Sequence, residues 1–150
     1  MTPPLLTPEG FALLERIHGH IAVLSLAVLL HPVLTLGRRT LTRGARYSLA
    51  LAAILVTATF SIGWVIYPSY RVAVKPGLID HHRGLALAFE TKEHLAMFCL
   101  VLTWGGVVAA WSGAHRPARA CLSVAWLCGV AVAAIGITVA ATAHPGWLTP

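Results

Sequence analysis

The sequence predicts an all-α integral membrane protein, a four-helix bundle threaded up-down-up-down with both termini on the outer side. Three observations lead there. Of 150 residues, 57% are apolar and only 11% are charged, against about 45–50% and about 25% in ordinary soluble domains. Four windows, 17–36, 47–67, 95–114 and 120–143, contain no Asp, Glu, Lys or Arg. Each meets the length of about 20 residues that a helix rising ~1.5 Å per residue needs to cross a ~30 Å apolar core. The windows fill more than half of the chain and leave a single domain over 1–150. Such a composition excludes a soluble enzyme domain, a disulfide-stapled secreted module and a disordered tail.

Charge placement supplies the orientation. Arg38, Arg39, Arg43, Arg46, Arg116 and Arg119 fall in the two short connections on one side. Arg16, Arg71, Lys75, Arg83 and Lys92 fall on the other, together with all five acids, Glu9, Glu15, Asp80, Glu90 and Glu93. Short loops dense in Lys and Arg stay in the cytoplasm. The termini and the longer connection between the second and third spans are therefore expected outside, in a bacterial inner membrane. Anchoring at the membrane surface accounts for the net charge of +6, so no nucleic-acid partner is expected.

The first span opens with Thr7-Pro8-Glu9, which reads as an N-cap, a proline in the first helical position and an acid in the first turn. Its start lacks the basic residues and cleavage pattern of a signal peptide, so the span is expected to stay in the protein. Near its inner end Pro32 frees the carbonyl of Val28, which His31 is expected to hydrogen-bond. The second span ends in Trp64, Tyr67 and Tyr70 around Pro68, an aromatic group suited to the headgroup level, with Trp147 at the same level after the fourth span.

Between the second and third spans, Lys75-Pro76-Gly77 reads as a turn. Asp80-His81-His82-Arg83 with Leu85, Leu87 and Phe89 reads as a short surface helix running into the third span. The fourth span carries Ala125, Gly129, Ala133, Gly136 and Ala140 along one stripe. Small residues let another helix approach closely in lipid, so the stripe is expected to receive a neighbour from the bundle or from a partner membrane protein. Cys99, Cys121 and Cys128 lie inside spans without a CxxC pair and read as small core residues, not as a thiol-disulfide exchanger.

Histidine carries the functional signal. His18, His20, His81, His82, His94 and His144 all fall on the outer side with the acids. The first and third spans both begin there, which brings Glu15, His18 and His20 to the depth of Glu90, Glu93 and His94. At ~100° per residue, Glu15 and His18 lie about 60° apart on their helix, and Glu90, Glu93 and His94 share an arc of about 100°. His20 faces roughly opposite His18 and shares a face with His31, about 16 Å further along.

These residues point first to a small membrane redox protein holding one haem b near the outer surface for electron transfer. His94 with His18 or His20 would supply the axial imidazoles, and His31 is a further candidate. Val107 and Val108 stand where a second pair would need a histidine on the third span, so one haem is expected at most. A second reading is a mononuclear Fe, Mn, Cu or Zn site built from Glu15, His18, Glu90, Glu93 and His94. Glu15-x-x-His18 has the spacing of di-iron bundles, but the second and fourth spans add no carboxylate. A third is proton or quinol handling at the outer boundary. The remaining reading is a solvated collar, with Glu90 or Glu93 paired to Arg16 or Arg71, on a non-enzymatic accessory or assembly subunit.

Overall fold

The computed structural model describes residues 6–36 and 42–142, which form α1 (Pro8–Thr35), α2 (Arg43–Ala73), α3 (Lys75–His81), α4 (Arg83–Trp111) and α5 (His115–Thr142). Arg38, Arg39, His144 and Trp147 lie outside the described residues. All but α3 are long and apolar enough to cross a membrane. Their 28 to 31 residues correspond to about 42–46 Å, more than the ~30 Å apolar core requires.

The charge-free windows are thus the middles of longer helices. Thr7 caps α1 as its sequence suggests, with its hydroxyl accepting from the Gly10 amide at 3.2 Å, and Thr42 caps α2 in the same way. The second helix runs past 67 through Pro68 to Ala73, and α4 begins at Arg83 rather than near 95. Both extensions are explained by burial of Tyr70, Val74 and Ala86 in one apolar cluster with Phe11, Leu78 and Val139. The Lys75-Pro76-Gly77 segment does not form the expected turn. It starts α3, where Pro76 occupies a first-turn position that needs no amide donor, and Leu78, fully buried, pins that short helix onto the bundle.

Helix α1 packs between α2 and α5, and α4 packs between the same two neighbours, so α1 and α4 lie across the bundle from each other. A second apolar cluster joins Leu29 and Leu36 of α1, Leu49, Ala52 and Val56 of α2, Cys99, Val107 and Ala110 of α4, and Ala118, Leu122 and Ala125 of α5. Hydrogen bonds stitch the interfaces. Trp126 Nε1 donates to the Leu26 carbonyl at 3.1 Å, Trp104 Nε1 donates to Thr57 Oγ1 at 3.1 Å, and the Ser25 and Thr59 hydroxyls meet at 3.0 Å. Such bonds, worth about 1 kcal/mol each, help associate helices where apolar side chains gain nothing by leaving lipid.

Close approach of α4 and α5 depends on Gly106, where a Cβ would stand 2.6 Å from Leu122 Cγ. Gly113, at φ +84°, supplies the left-handed residue that turns the chain from α4 into α5. The small-residue stripe is occupied largely from within. Ala125 is fully buried, a Cβ at Gly129 would meet Leu26 Cδ2 at 2.7 Å, and one at Gly136 would meet Lys92 Nζ at 3.3 Å. Ala133 is half-buried and Ala140 is exposed.

Candidate functional site: a polar layer between two apolar clusters

The buried side of α1 runs through Phe11, Ser25, Leu29 and Pro32, and Glu15 and His18 occupy the same three-and-four-residue rhythm. That rhythm places one helical stripe against the bundle. His18 is half-buried on it, against α2. A Cβ at Gly63 would stand 3.1 Å from His18 Cε1, and the backbone of Thr59 is a second neighbour of the ring. Ring atom Nδ1 is buried without a hydrogen-bond partner.

Across the bundle, α4 turns Lys92 and Glu93 inward on adjoining faces. Glu93 points to α2, where Tyr67 donates its hydroxyl to Oε2 at 3.2 Å, while Oε1 is buried with no partner. Lys92 points to α5 and is accommodated by the missing side chain of Gly136. Its ammonium lies 4.7 Å from the centroid of the Phe89 ring and within Coulombic reach of Glu15, His18 and Glu93. Tyr70 stacks on Phe89 with ring centroids 4.0 Å apart, and its hydroxyl is buried without a partner.

All four long helices therefore contribute to one layer: Glu15 and His18 from α1, Gly63, Tyr67 and Tyr70 from α2, Lys92 and Glu93 from α4, and Gly136 from α5. One apolar cluster, with Phe11, Val74 and Leu78, closes it toward α3. The other, with Leu29, Leu49 and Leu122, closes it toward the opposite end. Polar atoms held between apolar plugs interact in a low dielectric, where each unpaired donor or acceptor is costly to keep.

The other expected site residues fall elsewhere. His94 and His20 are exposed, and each ring engages its own helix, His94 Nδ1 with the Glu90 carbonyl at 2.9 Å and His20 Nδ1 with the Arg16 carbonyl at 2.7 Å. His31 is exposed and bonds Ser48 Oγ at 2.8 Å, not the carbonyl freed by Pro32. Glu90 is exposed and accepts from Lys75 Nζ at 2.8 Å. The Glu90 carboxylate holds the Lys75 ammonium above the ordinary lysine range. In place of the expected Arg16 or Arg71, Glu90 takes this lysine and Glu93 takes Tyr67, while Arg71 lies 5.9 Å from the Tyr67 ring centroid.

A haem held by two imidazoles needs both rings to face the same gap. His18 turns inward, whereas its expected partners His94 and His20 turn outward, so these residues do not fit an axial pair within the bundle. The carboxylate and imidazole set does not fit a metal ion either. Glu90 is committed to Lys75, and His94 is exposed, away from Glu15, His18 and Glu93. Glu15, His18 and Glu93 already share the positive charge of Lys92, which would repel a second cation. Among the described residues, no three His, Cys, Asp or Glu side chains are grouped as a metal site.

Sequence reasoning passed over Lys92, Tyr67, Tyr70 and Gly63. The tyrosines read as headgroup-level anchors, and Lys92 read as one more outer charge. A signal was present: Lys92 is in helical phase with Cys99, Thr103 and Gly106, which form the inward stripe of α4. No family model, curated protein or solved structure matches this chain.

Proposed function

We propose that the chain is an integral membrane protein, threaded up-down-up-down with its termini outside, that binds and releases a proton at the polar layer. The observation that carries this reading is the pair of buried, unpartnered atoms His18 Nδ1 and Glu93 Oε1, contributed by helices on opposite sides of the bundle. Ionisable groups inside membrane helices mark proton and ion pathways because holding them there is costly without a role. Glu93 and Lys92 bring opposite charges inside the layer, and Glu15 adds a second carboxylate at its exposed edge. Imidazole exchanges protons near neutral pH, so His18 is the group placed to take up and release one between these carboxylates.

The site is one-sided. Beyond the Ser25 and Thr59 hydroxyls, Leu29, Leu49, Ala52, Leu122 and Ala125 are wholly buried between the layer and the far end of the bundle. A proton station of this kind suits proton-coupled redox chemistry in the membrane better than conduction across it.

Infrared difference spectra of the purified protein in lipid nanodiscs, titrated between roughly pH 5 and pH 9, test the proposal. Imidazole bands are expected to change. His18→Asn should abolish that change, and Glu93→Gln should displace it by removing a carboxylate from the layer. Spectra that titrate identically in wild type and both variants would overturn proton exchange and leave the chain an accessory subunit.

A further inference from the structure

We infer that the polar layer binds the head group of a lipid-soluble quinone, which enters from the side of the bundle. This inference rests on the proton-exchange reading for the place of the site and adds the class of molecule that shares the proton.

Access points to lipid. The layer is closed along the bundle axis by Phe11, Val74 and Leu78 at one end and by Leu29, Leu49 and Leu122 at the other. A water-soluble ligand would have to force its way through either of these plugs. A ligand dissolved in lipid meets the flanks of the helices instead, from which His18, Lys92 and Glu93 are only half-buried.

The polar atoms match a ring that bears carbonyl oxygens when oxidised and hydroxyls when reduced. The Tyr70 hydroxyl is buried with no partner, and the Lys92 ammonium rests over Phe89. Both can donate to a carbonyl oxygen. Glu93 Oε1 and His18 Nδ1 are buried with no partner as well, and both can accept from a hydroxyl. A fatty acid or phospholipid would use the cation but leave the acceptors Glu93 Oε1 and His18 Nδ1 unanswered.

The test is equilibrium binding of decyl-benzoquinone to the full chain in nanodiscs, against empty nanodiscs, with decylbenzene as the same tail without ring oxygens. Saturable binding of the quinone alone is expected. Tyr70→Phe and Lys92→Met should each weaken it by about tenfold, the loss of one hydrogen bond to a carbonyl, and Lys92→Arg should retain most of it. Tyr70→Phe keeps the buried ring and its stack on Phe89, so it separates lost recognition from lost folding. Equal retention of quinone and decylbenzene, or unchanged affinity in both weakened variants, would overturn the inference. Titration of the quinone-free protein distinguishes the two proposals: bands that titrate without quinone binding overturn only the ligand, and quinone binding without titration overturns only proton exchange.

Discussion

The imidazole of His18 occupies the space that a side chain at Gly63 would need: its Cε1 lies 3.1 Å from the position of a Cβ there. An ionisable ring on α1 thus fits only because α2 has no side chain opposite it. The same logic holds for Lys92 and Gly136, with 3.3 Å between Nζ and the missing Cβ. Paired large polar and absent side chains let the bundle carry a polar layer without being forced apart.

Gly63→Val should therefore lower stability by about 1–3 kcal/mol, the usual cost of overfilling a packed interior. Gly19→Ala, on the same hairpin with open space around it, should leave stability unchanged or slightly raised. Thermal unfolding in detergent compares the two. Equal melting temperatures would show that His18 does not lie against α2.

The bond from Tyr67 to Glu93 links α2 to α4 inside the layer. Tyr67→Phe should cost about 1 kcal/mol, within the range measured for hydrogen bonds between membrane helices. In the Glu93→Gln background the same change should cost less, because a neutral acceptor makes the weaker bond. A double-mutant cycle of unfolding free energies reads the coupling, and simple additivity would argue against the contact.

Packing of α4 on α5 offers an internal control in adjacent glycines. A Cβ at Gly106 would meet Leu122 Cγ at 2.6 Å and the Ala118 carbonyl at 3.3 Å, whereas Gly105 has open space. Gly106→Val should cost about 2–3 kcal/mol or more, since backbone as well as side chain must move, and Gly105→Val should be tolerated. The yield of monodisperse protein and its melting temperature distinguish them.

The pair formed by Lys75 and Glu90, at 2.8 Å, fastens α3 to α4 at the exposed end. The lysine is held above its ordinary range by that carboxylate. A group whose folded value is raised contributes stability that is complete below its unfolded value, about 10.4 for lysine, and that vanishes as pH rises through the folded value. Lys75→Gln should melt below wild type near neutral pH, and the difference should disappear in strong alkali and shrink in high salt. A difference that persists under both conditions would assign the residue a packing role instead.

The absence of charge over four long windows determined that the chain is helical and suited to a membrane, because a helix satisfies its own backbone in lipid and an uncharged surface is the one lipid accepts. The Thr7 cap was legible for an equally local reason, one hydroxyl three residues from an orphan amide, whereas the short helix expected over 80–89 falls mostly in the first turns of α4 and α3 forms where a turn was expected. The stripe shared by Glu15 and His18 was also readable from their 60° separation, although only His18 turns inward on it.

Which side of α4 faces inward was marked only by the phase of Lys92 with Cys99, Thr103 and Gly106, because Lys92, Glu93 and His94 are consecutive and point in three directions. Sequence placed Glu93 and His94 in the site, and packing kept Glu93, put Lys92 beside it and turned His94 out. That choice depends on Gly136 of α5 making room for the lysine and on Tyr67 of α2 offering a donor to Glu93. Both lie far from α4 in the chain and meet it only after the helices dock. Side-chain direction on a single helix follows from its own rhythm, but which direction is inside is settled by the neighbours it packs against.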